Sequence, residues 1–411
     1  MKQVLLSITF FFIFSTTAFT QLTSKLRTGW YRATIFREDG AEIIFNAEVQ
    51  LKNGKQVMYI RNAAERLLVD DINVKGDSVN IEMPFFESFF RLQIQKDGKL
   101  VGIWLKAGSE KLLEFPVVFQ YGNKERFAVT EAATENSSGR WQVAFTRPNG
   151  TARPAIAEFQ QKGSALTGTF LTPSGDYRFL EGVVNGHSLL LSCFDGSHAY
   201  LFTATISGDE ITNGMFYSSA SPVEPWRATK NEKAALPDTT QLTKLKPGES
   251  KLNFSFKDVN GNNVSINDTR FKNKVVVIQI MGSWCPNCMD ESKFLSSFYK
   301  EYKSKGVEVV ALAYEYSTDF NRSKASVQKF IKRFNIQYPV LITPTTTSDE
   351  QRTEKTLPQL TSIRMFPTTI FLDRRGNVSK IHHGFYGPGS GEFYTGFKAD
   401  FYHTIHSLLA E

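Results

Sequence analysis

Three cysteines occur in the 411 residues, and two of them stand in Trp284-Cys285-Pro286-Asn287-Cys288. A dithiol at that spacing can exchange with another disulfide, close a structural bridge, or supply half of a zinc site. Zinc would need two further ligands, and no second cysteine pair exists to provide them. Thiol exchange depends on the thiolate, so the surroundings of the first cysteine decide the chemistry. Upstream lies Val275-Val276-Val277-Ile278-Gln279-Ile280, whose apolar, β-branched content predicts a buried strand. Downstream, Phe294, Leu295, Phe298 and Tyr302 recur at helical spacing. Asp290, Lys293, Ser297 and Lys300 fall between them, as on an amphipathic helix with a polar outer face. Pro286 suits a first helical turn, where its missing N–H costs nothing. Cys285 is therefore predicted at a helix N-terminus at the end of a central strand. There the free N–H groups and the helix dipole favour negative charge. Such sites lower a cysteine pKa from about 8.5 to roughly 3.5–7.5. Cys288, one turn later, can attack a mixed disulfide on Cys285 and release the product.

Two stretches carry a family resemblance. Trp284 before the first cysteine and Pro286 within the motif resemble the active-site pattern of the thioredoxin superfamily. Phe366-Pro367-Thr368-Thr369-Ile370-Phe371-Leu372-Asp373 resembles its second conserved stretch. With a secretory-type start, the chain looks like the TlpA/ResA-like (redoxin) branch, over about residues 250–411. The resemblance implies an α/β thioredoxin fold and an extracytoplasmic thiol–disulfide oxidoreductase acting on disulfide-containing client proteins. It implies a cis Pro367, with the backbone of Phe366 pairing to a bound client strand and Trp284 shielding the site. It also implies that Glu291, three residues after Cys288, tunes cysteine acidity and relays a proton. The plain alternative for Glu291 is an acid favouring the helix dipole, and for Trp284 simple packing. The dithiol is itself the redox centre, so no bound cofactor and no metal are expected. A reductase outside the cytoplasm needs recharging, and the resemblance implies a membrane electron donor.

Two other functions compete. A thiol peroxidase on the related fold would need a peroxide-polarising setting around one cysteine, whereas a WCxxC pair favours dithiol exchange. A binding protein would place the function in the region before residue 230 and leave the redox motif as a platform.

Residues 1–20 read as a signal peptide: Lys2, an apolar core from Val4 to Phe14, and Ala18-Phe19-Thr20 as a small-x-small cleavage site. The core is short for a span, which takes about 20 residues. An uncleaved anchor is the alternative to cleavage, and no later stretch is long and apolar enough to cross a membrane. Export to the periplasm or cell envelope is the expectation. The net charge is +7, with Lys and Arg spread along the chain and no basic run interleaved with aromatics, which disfavours nucleic acid as a partner. Cys193, in Leu189-Leu190-Leu191-Ser192-Cys193-Phe194, reads as a buried free thiol.

Residues 22–230 read as a duplicated, antiparallel all-β region, barrel- or sandwich-like. Ala47-Glu48-Val49-Gln50 returns as Ala157-Glu158-Phe159-Gln160, and Val74-Lys75-Gly76-Asp77 as Val184-Asn185-Gly186-His187. Both pairs are offset by 110 residues, and Gly29-Trp30-Tyr31 matches Gly139-Arg140-Trp141 with a one-residue slip. Asn53-Gly54, Asp97-Gly98 and Gly208-Asp209 punctuate alternating runs as hairpin turns do. The copies could form two small barrels or halves of one. Two modules are preferred, at 22–125 and 138–228, joined by a polar connection from Lys124 to Gly139. Phe85, Phe86, Phe89 and Phe90 are core candidates, with an apolar cavity as the alternative. A docking role for substrate, ligand or partner is the expectation for these modules. Residues 229–250 read as a polar, proline-containing linker that leaves its neighbours free to move. The α/β unit then runs over 251–411. It begins with a hairpin through Asn260-Gly261, and its helix-bearing insertion Thr343 to Leu360 is expected to border the site. His382 and His383 are expected in a loop after the last strand.

Overall fold

The computed structural model describes residues 25–411 apart from 109–110, 220 and 239–241. The signal-peptide reading lies outside the described residues.

Alternating apolar residues and tight turns build two large antiparallel sheets before residue 231. In the first, nine strands run from Gly29 to Tyr121 as a meander whose first strand, Gly29–Phe36, pairs with its last, Leu112–Tyr121. The sheet ends at Glu65–Val69 and Asp71–Lys75, which are neighbours in the chain but not in the hydrogen-bond ladder. The second sheet spans Gly139 to Lys230 and closes, because Ala165–Thr172 pairs with both Ala152–Lys162 and Leu180–Asn185. A ninth, two-residue strand, Gly175–Asp176, hangs on its edge. The second sheet encloses its own apolar interior, whereas that of the open, barrel-like first sheet also takes in Phe194 of the second, so the duplication yields two adjoining barrel-like units. Phe45, Phe90, Phe119 and Trp104 fill the first, and Phe145, Phe170, Phe202 and Trp226 the second.

The repeat aligns without the one-residue slip. Tyr31 and Trp141 occupy equivalent positions, facing Ala47 and Ala157 across the ladder. Both are fully buried, and each side chain donates to the carbonyl four residues upstream, Arg27 or Ser137. Burying an aromatic together with its polar handle explains why Tyr and Trp interchange there.

The carboxy-terminal unit is a seven-stranded mixed sheet with helices packed on it. The central strand, Val275–Met281, is buried along its whole length and lies between parallel Val307–Ala313 and antiparallel Thr368–Leu372. Helix α1, Pro286–Tyr302, follows it directly. Helix α2 spans Phe320–Phe334, α3 Arg352–Thr356 and α4 Glu392–Ala410. The hairpin through Gly261 forms at the sheet edge, from Ser255–Asp258 and Asn263–Ser265. His382 and His383 lie in the strand Val378–His383, opposite Thr369 and Thr368, not in a loop. Continued pairing with the preceding strand overrides the local sequence there.

The polar connections do not leave the units free. Within the first connection, Arg126 is buried and donates to Asn46, the Ser192 carbonyl and the Arg61 carbonyl, clamping the two barrels together. After the second barrel, Ala234 is buried, and Leu245 and Lys251 bridge to Leu360 and Asn377. Phe85 and Phe86 are buried, and Phe85 meets Phe334 of α2 at 5.4 Å between ring centroids. Helix α2 also covers the open edge of the first barrel, where Arg333 donates to the Leu68 carbonyl. An edge covered in this way is protected from pairing with another chain. One apolar core thus continues from the first barrel into the α/β unit. Phe85→Ala should therefore lower stability by about 3 kcal/mol. Urea unfolding followed by circular dichroism and tryptophan fluorescence should give one coincident transition for both units. Separate transitions would mean that this shared core does not couple them.

Candidate redox site

The end of the central strand and the start of α1 place the motif as its local sequence dictates. Cys285 is the N-cap of α1 with extended backbone, and Pro286 takes the first helical position. The Cys285 Sγ accepts the Cys288 backbone N–H at 3.2 Å. The two cysteines are paired in a disulfide, with Cα atoms 5.2 Å apart. Cys285 is 5 % exposed and Cys288 fully buried, so an incoming sulfur can reach only the first. Once the pair is reduced, the Cys288 N–H and the dipole of a seventeen-residue helix both favour a Cys285 thiolate.

The Phe366–Pro367 peptide is cis, and the Phe366 carbonyl oxygen lies 3.6 Å from the Cys285 Sγ. Trp284 is half-buried. Its indole N–H donates to the Tyr314 carbonyl at 2.8 Å, and its ring stacks on Tyr316 and meets Phe366 edge-on. Trp284, Cys285, Phe366 and Pro367 therefore share one small surface, built from two segments distant in sequence.

Glu291 is 1 % exposed, on the face of α1 turned to the sheet. It accepts hydrogen bonds from Gln279 of the central strand at 2.7 Å and from the Thr369 hydroxyl. Burial pushes its carboxyl up to about 7, against the pull of both hydrogen bonds. It is not an acid at the solvent-exposed start of a helix.

Several residues of the site do not stand out in the sequence. Glu315 is buried and accepts from the Ser283 N–H and hydroxyl at 2.9 and 2.6 Å, fixing the turn that leads into Trp284. Burial pushes its carboxyl up to about 7. An acid just after the apolar strand Val307–Ala313 is the signal that could have marked it. Asp290, expected on the polar outer face of α1, is buried as well, paired with Arg178 of the second barrel. Arg178 also pairs with Glu65 of the first barrel. Burial, helped by Asp176 and Glu65, pushes Asp290 up to about 7 while Arg178 pulls it down. The insertion helix α3 touches the site only indirectly, through Thr356 and the Tyr314 hydroxyl at 2.7 Å. Cys193 is buried within the second barrel, and burial pushes its thiol well up, leaving it inert.

Residues 235–391 match the Redoxin family model. The thiol-disulfide oxidoreductase ResA of Halalkalibacterium halodurans is 29 % identical over 139 residues, covering 33 % of this chain and 68 % of that protein. ResA of Bacillus subtilis is 28 % identical over 140 residues, covering 34 % and 69 %. Among solved structures, a thiol:disulfide interchange protein of the thioredoxin family from Chlorobium tepidum is 24 % identical, with a TM-score of 0.30, over 39 % of this chain and 95 % of that one. No helix among the described residues is long and apolar enough to cross a membrane. The carboxy-terminal unit thus matches the Redoxin family and is similar to TlpA/ResA-like thiol–disulfide oxidoreductases of the thioredoxin superfamily.

Proposed function

We propose that this protein is an exported reductase of protein disulfides, working in the periplasm or cell envelope with the Cys285–Cys288 dithiol. The observation that carries this reading is the placement of Cys285. Its sulfur sits at the N-cap of α1, faces the Phe366 carbonyl beside cis Pro367, and is the only motif sulfur with any exposure.

In the reduced enzyme the Cys285 thiolate attacks one sulfur of a client disulfide. A Cys285–client bond forms, and the client's other sulfur leaves as a thiolate and takes a proton. The Cys288 thiolate then attacks Cys285. The Cys285–Cys288 bond closes, and the client's second sulfur leaves and is protonated. The client gains two electrons and two protons, and the enzyme ends in the disulfide form. Client backbone pairs at Phe366, beside the Trp284 ring. Glu291, held near neutrality by burial, receives and returns a proton during exchange. A dithiol donor in the membrane returns the enzyme to its reduced form. The export reading rests on the signal-like segment 1–20, and the module boundaries 22–125, 138–228 and 251–411 are part of the same proposal.

The test is the midpoint potential of the pair in the full-length protein, by titration against glutathione or dithiothreitol. A value near −250 mV is expected for a reductase. A value near −120 mV would make the protein an oxidant that installs disulfides. If no reversible dithiol forms, the dithiol reading itself is wrong.

A further inference from the structure

Arg178 does not belong to the α/β unit, yet it reaches the redox motif. It lies just after the short strand Gly175–Asp176 of the second barrel, with left-handed backbone at φ 57°. That conformation is uncommon for a side chain of its size and persists only where the surroundings demand it. The residue is 5 % exposed. One guanidinium nitrogen donates to Asp290 and, at 3.4 Å, to the Pro286 carbonyl, while the other donates to Glu65. Its Nε is buried without a hydrogen-bond partner among the described residues. An arrangement that leaves a buried donor unmet is not optimised for stability alone.

The segment around it is built to fit the motif closely. Gly175 has φ 142°, and a Cβ there would stand 2.7 Å from the Phe385 carbonyl oxygen and against the Asn287 side chain, so a larger residue would be strained at this approach. Gly175 pairs with Phe385, and Asp176 accepts the Gly387 N–H at 2.9 Å. The second barrel is thus docked on the first turn of α1 and on the segment that follows the strand Val378–His383.

The charges give this docking a chemical meaning. Reduction of the disulfide creates a thiolate at Cys285, in surroundings already rich in acids. Asp290 lies at the start of the second turn of α1, Glu291 faces the sheet below, and Glu315 stands behind Ser283. Glu65 and Asp176 come from the barrels. The cation that hydrogen-bonds into the motif is Arg178.

We propose that Arg178 is a positioning residue of the redox site: it pins the first turn of α1 and balances Asp290, so that Cys285 can carry the negative charge of the attacking thiolate. The second barrel is then part of the active centre, not a separate docking attachment. This rests on the dithiol reading above.

The test uses the reduced full-length protein and the pH profile of Cys285 alkylation by iodoacetamide, with the midpoint potential as a second readout. In Arg178→Met, labelling at pH 7 should slow about tenfold, corresponding to a thiol pKa about one unit higher. Asp290→Asn should move the profile the other way. The double variant should return toward wild type, because both charges of the pair are gone. Arg178→Lys should retain most of the wild-type rate. A purely structural role predicts instead that the double variant is no better than Arg178→Met, and that result would overturn the proposal. So would an unshifted profile in folded Arg178→Met. If Arg178→Met does not fold, Asp290→Asn and Arg178→Lys still decide, since an unshifted or upward-shifted Asp290→Asn profile rejects the charge balance. A wild-type protein with no reversible dithiol would instead reject the underlying dithiol reading.

Discussion

Cys288→Ser should stop turnover after the first attack and accumulate a covalent complex between Cys285 and its client. Cys285 sits at the helix N-cap and is the sulfur that a client can reach. Its attack does not require Cys288. Release does, because the mixed disulfide is broken by a thiolate held one helical turn away. Intramolecular delivery of a well-placed group is worth effective molarities of about 10⁵ M or more in the best cases. Losing it should reduce multiple-turnover client reduction by at least about 10³-fold. Cys193 cannot substitute, since it is buried inside the second barrel. Cys285→Ser should behave differently, giving neither turnover nor complex, because fully buried Cys288 cannot meet an incoming disulfide in line. Non-reducing electrophoresis with mass spectrometry of the trapped species separates the two variants. Sustained turnover in Cys288→Ser, or a client trapped on Cys288, would reverse the assigned roles.

Glu291→Gln should remove most of a pH-dependent loss of stability that the wild-type protein shows between about pH 4.5 and 7. The buried Glu291 carboxyl is pushed from an ordinary 4.5 up to about 7 in the folded state. The sign follows from proton counts. Below the unfolded pKa both states hold the proton, and the native protein has its full stability. Between the two pKa values the unfolded chain releases the proton and the native chain keeps it, so stability falls as pH rises. Above about 7 the carboxylate is charged in both states and the loss is complete. Its size is on the order of 3 kcal/mol at most, from the separation of the two pKa values. Glutamine suits the site, because its amide oxygen can accept from Gln279 and its N–H can donate to the Thr369 hydroxyl. Urea titrations at pH 5, 6, 7 and 8 should give a flatter profile for the variant, which gains on wild type as pH rises. Parallel curves for the two proteins would show that Glu291 does not titrate in this range. A second consequence concerns the reduced pair: an acid ionising near pH 7 beside it couples to the thiols, so the wild-type labelling profile should be broader than the variant's.

The redox motif was legible because its geometry is local. A β-branched run, a cysteine before proline and a 3.6-residue repeat are each decided within a few residues, and together they place Cys285 at a helix start. The cis Pro367 and the duplication came from short matching stretches, and strand alternation required only period-two counting. The register of the repeat was different. Pairing Trp30 with Trp141 looks natural in the sequence, but burial and the hydrogen bond to the carbonyl four residues back single out Tyr31.

The surroundings of the motif were decided by tertiary structure. Asp290 reads as a surface acid because helical periodicity sets it among Lys293, Ser297 and Lys300. It is buried because Arg178, 112 residues earlier in the chain, closes over it. Nothing near either residue encodes that meeting. The segments 124–139 and 229–250 read as loose for the same reason: a few buried groups, Arg126 and Ala234 among them, hold them in place. Periodicity records which face of one element avoids water. It does not record which other element arrives to cover a polar face. The sequence by itself determined a dithiol at a helix N-terminus on a thioredoxin-like sheet. Only the fold decided that two barrels lie against it, because those contacts join residues whose separation in the chain leaves no local pattern.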